Sequence, residues 1–349
     1  MDLDLLNRLS SINGVSSFEK SVSDLIEKEV SNYFYDGIGS IIAYDDKKKD
    51  ENAIKLMFAT HMDEVGFIVE SIEDNFLKLR MLGSLWPHLV VGQLYTLTTR
   101  YNKQYLGVIS SPSSHNMIDP KEREKTIPKD KMYLDLGMDA EEIKRANIQI
   151  GDMVTPVSQF SELGFGKTLL NKAFDDRVSC FVGLETLKKD IKSDCELYWA
   201  FTVQEEPGLR GARTSTHMIE PDIGIAIDTT VAGDTPFDEN IVKLGGGVVL
   251  SFIDSNSIAH RGLMRWIEDL CENNGIKYQY AVFNRGGTDS GNIHKTLKGV
   301  VNLSLSIPIR YMHTNHSIVH KSDIEECIKL VELIIKNTNR ESFNKIVEG

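Results

Sequence analysis

The chain has 349 residues and a formal net charge of −12, with 41% hydrophobic and 26% charged residues. This composition is typical of a folded soluble protein and excludes a disordered chain. The lysine run in DDKKKD (45–50) is neutralised by its own acids, so no basic cluster indicates a nucleic-acid footprint. No apolar run of 18 residues is present to span a membrane. The first ten residues, MDLDLLNRLS, lack the basic and apolar segments of a signal peptide, which predicts a cytoplasmic protein.

Length and cysteine usage give two further expectations. A chain of this length usually contains more than one core, so we expect two domains. The four cysteines are widely separated and include no C-x-x-C pair. They are therefore expected to be reduced, partly buried thiols, which agrees with a cytoplasmic location.

The N-terminal elements are predicted to be a helix followed by strands. Ser16, with Glu19 three residues later, matches a capping box, and the apolar residues after it follow helical spacing. The segments SIIAY (40–44) and IKLMFAT (54–60) are apolar and strand-like.

The pattern changes after Gly66. Short β-type runs follow one another, separated by Gly, Pro, Asn and Ser, and one helix-like segment, 139–147, interrupts them. Strands at this spacing predict a small barrel or sandwich. We therefore place an inserted β domain at 68–162, between the two parts of a discontinuous catalytic domain, 1–67 and 163–349.

An alternation of helices and strands returns after Lys167. The expected helices are 176–190, 209–218, 257–273 and 290–296, and the expected strands are 196–203, 223–228, 278–283 and 300–307. A last helix is predicted from Ser322, which forms a capping box with Glu325. Such alternation predicts an α/β fold with a mostly parallel sheet covered by helices.

Five short motifs with acidic and histidine residues occur along these segments. They are ATHMDEVGF (59–67), KAFDDRV (172–178), VQEEPGLRGA (203–212), AIDTT (226–230) and RYMHT (310–314). All but the second follow an apolar, strand-like run. Because active sites of open α/β sheets form beyond the carboxyl ends of the strands, these side chains are expected to meet. Two histidines, two aspartates and a glutamate are the ligands of a carboxylate-bridged pair of divalent metals.

His61 and Asp63 form an H-x-D pair. A ligating imidazole usually donates its other N–H to a carboxylate, and Asp63 is expected to supply that group. Taken alone, the pair also fits a structural or surface histidine. Its position directly after a buried strand and beside the other motifs favours a metal ligand.

Two pairs of adjacent acids are further candidates. Asp175 and Asp176 open a helix, where acids are also explained by capping and the helix dipole; as a functional residue, Asp175 would bridge two metals. Glu205 and Glu206 follow a strand. Two neighbouring carboxylates are costly to bury unless a cation takes one, so one is expected to be a ligand and the other a general base. A solvated turn is the alternative.

Asp228 and His313 each follow an apolar strand and complete the ligand inventory. The segment GGTDSGNIH (286–294) is a glycine-rich turn into a helix. It lacks the spacing of a phosphate-binding loop. We interpret it as a tight turn that shapes the substrate pocket.

Together these motifs resemble the dinuclear metal aminopeptidases of the glutamyl and tetrahedral (TET) aminopeptidase family, some of which carry the older label endoglucanase. The resemblance covers nearly the whole chain, and the order and spacing of the motifs carry it. It implies a zinc-peptidase-like α/β domain with an inserted small β-barrel that contributes to oligomerisation. It also implies peptide substrates and a homo-oligomer, which is commonly a twelve-subunit tetrahedron in this family.

The resemblance also assigns roles to single residues. His61 and Asp228 would hold one divalent metal, Glu206 and His313 the other, and Asp175 would bridge them. Zinc or cobalt is expected, and manganese fits the same ligands. The catalytic residues would be Glu205, as general base, and Asp63, which orients His61. In related dinuclear peptidases a cis peptide follows the bridging aspartate, which implies one at Asp175–Asp176.

The sequence departs from the family pattern near the second metal. Pro207 follows the two glutamates, where the family usually has an apolar residue. After His313 the sequence is TNHSIVH, where many members have S-P-x-E. These positions bear on specificity and metal affinity rather than on the catalytic set.

Three alternatives to an aminopeptidase stay open at the level of sequence. A metal-dependent deacylase of another small amide would use the same residues. A glycosidase needs two carboxyl groups facing each other across a bond, roughly 5–9.5 Å apart, and would leave the histidine motifs unused. An inactive scaffold is the third alternative, although all seven expected positions are intact.

Overall fold

The computed structural model describes residues 1–46, 50–113, 115, 119, 121, 124–237, 241–283 and 285–349. Its α-helices are α1 Leu3–Ser11, α2 Lys20–Ile26, α3 Pro87–Val90, α4 Ala140–Arg145, α5 Phe174–Leu187, α6 Arg210–Ile219, α7 Arg261–Asn274, α8 Ser290–Ile293, α9 Lys321–Asn337 and α10 Arg340–Glu348.

Seventeen strands run through the same part of the chain. They are β1 Tyr33–Tyr35, β2 Ile41–Tyr44, β3 Lys55–His61, β4 Gly66–Glu73, β5 Phe76–Leu82, β6 Leu94–Thr98, β7 Gln104–Ile109, β8 Tyr133–Asp135, β9 Met153–Pro156, β10 Ser161–Leu163, β11 Thr168–Asn171, β12 Glu196–Thr202, β13 Ile223–Val231, β14 Val248–Ile253, β15 Tyr278–Val282, β16 Val301–Arg310 and β17 Ser317–His320.

The larger sheet has eleven strands, and its centre is parallel. The order is β1-β2-β12-β3-β13-β16-β17-β11-β10, and β14 joins β16 to β15. Strands β12, β3, β13 and β16 run parallel, whereas the strands at either edge pair mostly antiparallel. The central strands are nearly continuous apolar runs because both of their faces are covered. The predicted α/β class with a helix-covered sheet is therefore confirmed.

Helices cover the two faces of this sheet unequally. One face packs the larger apolar core, to which α5, α7 and α9 contribute Val178, Ile267 and Ile334. The other face packs a smaller cluster with Ala212 of α6 and Ile293 of α8. The candidate site forms at the edge of the sheet where the carboxyl ends of the central strands lie.

The predicted small β-barrel is also present. Strands β4-β5-β8-β7-β6-β9 close on themselves and enclose a separate core around Phe67, Tyr95 and Val154. The barrel strands span 66–156, inside the chain between β3 and α5. The division into domains at 67/68 and 162/163 stays a prediction.

Several local expectations were wrong. Neither predicted capping box forms: α2 begins at Lys20 without a side-chain cap, and α9 begins at Lys321 with the imidazole of His320 accepting the capping hydrogen bond. Ser16 and Glu19 are instead used in long-range hydrogen bonds described below. Strands β14 and β17 were not anticipated, and β13 continues three residues beyond Asp228 because its pairing with β16 extends to Val231.

Two further expectations concern cysteines and the membrane. All four cysteines are buried, and no disulfide joins them in the described part of the chain. Among the residues that the structure covers, no helix combines the length and the apolar character needed to cross a bilayer.

Candidate metal centre

Neighbouring strands deliver four of the predicted residues to one edge of the sheet. His61 ends β3, and the paired part of β3 and β13 stops at Ala59 and Ala226, so His61 and Asp228 both lie two residues beyond it. Glu205 and Glu206 follow β12, which pairs with β3 up to His61. This register explains why residues far apart in sequence lie together.

Asp175 and His313 reach the same point from a helix and a loop. Asp175 lies in the first turn of α5, where its backbone is non-helical, and the peptide bond between Asp175 and Asp176 is cis, as expected. His313 lies three residues after the end of β16. Six of the seven predicted site residues are thus brought into one region, and the seventh, Asp63, is described below.

One half of the centre surrounds the His61 imidazole. Its Nε2 atom lies 3.3 Å from Asp175 Oδ1 and 3.8 Å from Asp228 Oδ1. Glu205 Oε2 lies slightly farther away, at 3.9 Å from the same nitrogen. Each of these side chains is at most 10% exposed.

The other half surrounds the His313 imidazole. Its Nε2 atom lies 3.0 Å from Asp175 Oδ2 and 3.4 Å from Glu206 Oε1. The two oxygens of the Asp175 carboxylate therefore face different histidines. A carboxylate in this arrangement has the geometry required of a bridge between two cations.

Burial and neighbouring charges shift the pKa values of the side chains in this centre. Burial raises the pKa of Asp228 to about 8 and raises the pKa of Glu205 well above its usual range. Burial opposes protonation of His61, yet the Glu205, Asp175 and Asp63 carboxylates outweigh it and raise the imidazole pKa well above its usual value. Burial would likewise raise the pKa of Asp175, but hydrogen bonds and charges from His313 and His61 hold it far below its usual range.

The donor set fits divalent cations. Glu206 Oε1 is buried and makes no hydrogen bond to any described residue. Asp175, Glu205, Glu206 and Asp228 crowd around two imidazoles, and buried carboxylates are costly unless paired or bound to metal. Two sets of three residues each have donor atoms that lie within 4.8 Å of one another. One set is His61, Asp175 and Glu206, and the other is His61, Asp176 and Asp228. Nitrogen and carboxylate donors of this kind suit zinc, cobalt and manganese.

Asp63 is fully buried beneath this centre. His61 Nδ1 donates to the main-chain oxygen of Asp63 at 3.0 Å, and the Asp63 carboxylate oxygen is farther away, at 3.5 Å. The carboxylate instead accepts the backbone N–H groups of Glu205 and Glu206, at 2.9 and 3.2 Å, and the Ser16 hydroxyl at 2.6 Å. Asp63 thus contacts His61 chiefly through its backbone and holds the turn that carries both glutamates.

The sequence reasoning missed several buried polar groups around the site. Glu19 accepts the N–H of Gln204 at 3.0 Å, and burial together with the nearby Asp63 charge raises its pKa to about 7. Asp176 accepts the N–H of His61 at 3.1 Å. Asp289 accepts the hydroxyl of Thr202, and its other oxygen has no hydrogen-bond partner among the described residues.

A buried arginine ties the N-terminal segment to the base of the site. Arg177 is inaccessible to solvent. Its guanidinium donates to the main-chain oxygens of Met62, Leu9 and Gly14. This explains why an arginine directly follows the two acids of the KAFDDRV motif: it joins the residue after His61 to the N-terminal segment.

The barrel also contacts the centre. The main-chain oxygen of Ser84 lies 2.8 Å from His313 Nδ1, which leaves Nε2 facing Asp175 and Glu206. Gly83 has a φ of +76°, and a Cβ there would lie 2.8 Å from Glu206 Oε2. Glycine is thus required for the barrel to approach this carboxylate so closely.

The chain has an α/β domain with two histidines and several carboxylates at one edge of its sheet, and an inserted β-barrel lies beside them. This combination of fold and site is that of a metallopeptidase. Comparison with known proteins identifies the family. A sequence model of the M42 glutamyl aminopeptidase family matches residues 39–330. The chain is 32% identical to a glutamyl aminopeptidase of Lactococcus lactis subsp. cremoris, covering 98% of each chain.

Solved structures agree with this assignment. A TET aminopeptidase from a marine sediment Thaumarchaeota archaeon superposes with a TM-score of 0.93 at 30% identity, with 99% of each chain covered. The TET1 peptidase of Pyrococcus horikoshii, described as assembling into a tetrahedron or a large octahedral shell, gives a TM-score of 0.86 at 29% identity, covering 96% of this chain and 99% of that one. The chain therefore belongs to the M42 glutamyl aminopeptidase family and is a hydrolase of the aminopeptidase class.

Proposed function

We propose that this protein removes N-terminal residues from peptides at a centre that holds two divalent metal ions. The observation that carries this proposal is the Asp175 carboxylate, whose two oxygens lie 3.3 Å from His61 Nε2 and 3.0 Å from His313 Nε2. A single cation would not require one carboxylate to face two separate imidazoles. Membership of an aminopeptidase family supports the peptide substrate.

The residues divide into two ligand sets around this bridge. His61 and Asp228 would hold one cation, Glu206 and His313 the other, and Asp175 both. Two such cations would polarise the scissile carbonyl and lower the pKa of an attacking water. Zinc and cobalt are the proposed ions, and manganese suits the same donors.

Glu205 is proposed as the general base. Its carboxylate is buried, points towards the half of the centre around His61, and belongs to neither ligand set. In the metal-free chain, burial raises the pKa of Glu205 well above its usual range, which favours uptake of a proton by this carboxylate. It would take a proton from the attacking water and pass it to the leaving amine. Asp63 positions this base through the Glu205 N–H.

We further propose a cytoplasmic homo-oligomer, with twelve subunits as the family form, in which the barrel region 68–162 carries subunit contacts. The assembly of the Pyrococcus horikoshii relative supports this. So do large apolar side chains on the barrel that are about 60% exposed in the single chain: Trp86, Tyr101, Leu106 and Ile150. Exposed apolar groups of this size commonly mark protein contacts.

A panel of aminoacyl anilides, assayed with zinc, cobalt and manganese in turn, tests the activity. We expect hydrolysis that depends on added metal and requires a free α-amine. N-acetylated versions of the same substrates are the matched control. Equal turnover of free and acetylated substrates would contradict the aminopeptidase assignment and favour a metal-dependent deacylase.

A further inference from the structure

The loop that carries His313 has an unfavourable backbone. It joins β16 to β17, and both Tyr311 and His313 adopt left-handed φ values, 59° and 57°. Non-glycine residues in this region cost free energy and persist only where the surroundings impose the conformation. Contacts between the loop and the rest of the protein must therefore hold this conformation.

Asn315 provides that restraint from within the loop. It is 4% exposed, and its side chain reaches into the barrel. Its Oδ1 accepts the Tyr95 hydroxyl at 3.2 Å, and its Nδ2 donates to the main-chain oxygen of Leu94 at 3.1 Å, with that of Val157 at 3.5 Å. Only a carboxamide offers an acceptor and two donors at once, so neither aspartate nor leucine satisfies this position.

The barrel contacts the loop at a second point. Ser84, on the barrel side, accepts the hydrogen bond from His313 Nδ1 at 2.8 Å. The loop is therefore fastened two residues beyond His313 and at the imidazole itself. Displacement of the Asn315 end would turn the imidazole away from Asp175 and Glu206, because the φ of His313 relaxes once its restraint is lost.

We propose that Asn315 is a positioning residue that fastens the His313 loop to the barrel and so sets the affinity of the cation held by Glu206 and His313. The inference rests on the proposed two-metal centre. It also gives a role to the T-N-H segment that follows His313. The barrel then has a part in metal binding besides any part in assembly.

Three variants of the full-length protein separate the contacts. Asn315→Leu removes both hydrogen-bonding functions at similar size. Asn315→Asp keeps the acceptor for Tyr95 but sets a carboxylate oxygen against the Leu94 carbonyl. Tyr95→Phe removes one hydroxyl, keeps the buried ring, and remains informative if the Asn315 variants fail to fold.

Zinc titration of metal-free protein against a chromophoric chelator gives both dissociation constants, and thermal unfolding monitors the fold. Loss of a group that is hydrogen-bonded to a metal ligand weakens metal binding by roughly 10–100-fold. Asn315 acts on His313 only through the loop, so we take about 10-fold, the lower end of this range, as the expected loss of affinity. We expect that loss of affinity in Asn315→Leu for the ion held by Glu206 and His313, and a smaller loss for the same ion in Tyr95→Phe. The affinity for the other ion, held by His61 and Asp228, should not change in either variant. kcat should return towards the wild-type value at saturating zinc.

The outcomes are distinguishable. Wild-type protein that binds only one zinc ion would contradict the proposed two-metal function. Wild-type protein that binds two ions, with variants that bind the second equally well, would overturn the role of Asn315. Equal weakening of both ions, with a lower unfolding temperature and no recovery by zinc, would show a merely structural residue and also overturn it.

Discussion

The two adjacent glutamates offer a direct test of the mechanism, because only one of them is proposed to bind metal. Glu205→Gln replaces a carboxylate by an amide of the same size. It leaves the backbone hydrogen bond to Asp63 intact, because the main-chain N–H makes that contact. Glu205 belongs to neither of the two proposed ligand sets, so loss of its carboxylate should not release a cation.

The expected magnitude follows from the role of a general base. Such groups contribute about 10²–10⁴-fold to the rate. This corresponds to roughly 3–5 kcal/mol in the activation barrier. We therefore expect kcat of Glu205→Gln to fall by at least two orders of magnitude, with KM little changed and two metal ions still bound.

Glu206→Gln is the matched comparison. Glu206 Oε1 lies 3.4 Å from His313 Nε2, so the substitution removes a proposed ligand. This variant should lose or weaken one ion and regain part of its activity at high metal concentration. Metal content by elemental analysis and steady-state kinetics, measured on the same samples, separate the two effects.

Two results would refute this reasoning. Metal loss in Glu205→Gln together with metal retention in Glu206→Gln would exchange the two roles. Near-normal activity of both variants would leave no place for a glutamate in the reaction.

Three further predictions concern other parts of the molecule. Burial raises the Glu19 pKa from 4.5 to about 7. As the pH rises from 4.5 to 7, the free energy of unfolding of the metal-free wild type should therefore fall, relative to that of Glu19→Gln, by about 1.4 kcal/mol per pH unit, with no further change above pH 7. A difference between the two proteins in urea unfolding that does not depend on pH would contradict this. Gly183→Ala would place a Cβ 2.4 Å from the buried Trp199 ring and should lower the free energy of unfolding by about 1–3 kcal/mol; an unchanged urea midpoint would show that α5 can move away. Light scattering at micromolar concentration should detect an oligomer, and a monomer would refute the proposed assembly.

The central fold followed from sequence because its signals are local. The apolar runs of β3, β12, β13 and β16 are long and lie in the parallel centre of the sheet. The polar residues directly after these runs then had to meet at one edge. Strand β17 lacks this advantage, because it has only four residues and its antiparallel pairing with β16 defines it. The apolar run VVLSFI of β14 was a local signal that the sequence analysis overlooked.

The surroundings of the site were less predictable because they depend on tertiary contacts. Ser16 and Glu19 fit a capping box locally, yet they bind Asp63 and the Gln204 backbone, the second contact spanning 185 residues. Burial of these groups against the strand ends outweighs the free energy of a local cap. The Asn315 contact with Tyr95, over 220 residues, could not be inferred from spacing either.

Metal stoichiometry measured together with activity tests the central proposal most directly. Metal-free protein would be titrated with zinc or cobalt while bound metal and the hydrolysis of an unblocked aminoacyl substrate are both measured. We expect activity to reach its maximum as bound metal reaches two ions per chain, and Asp175→Ala to abolish the activity and weaken binding of both ions. Full activity with one ion per chain, or binding of both ions undisturbed by Asp175→Ala, would contradict the carboxylate-bridged two-metal centre.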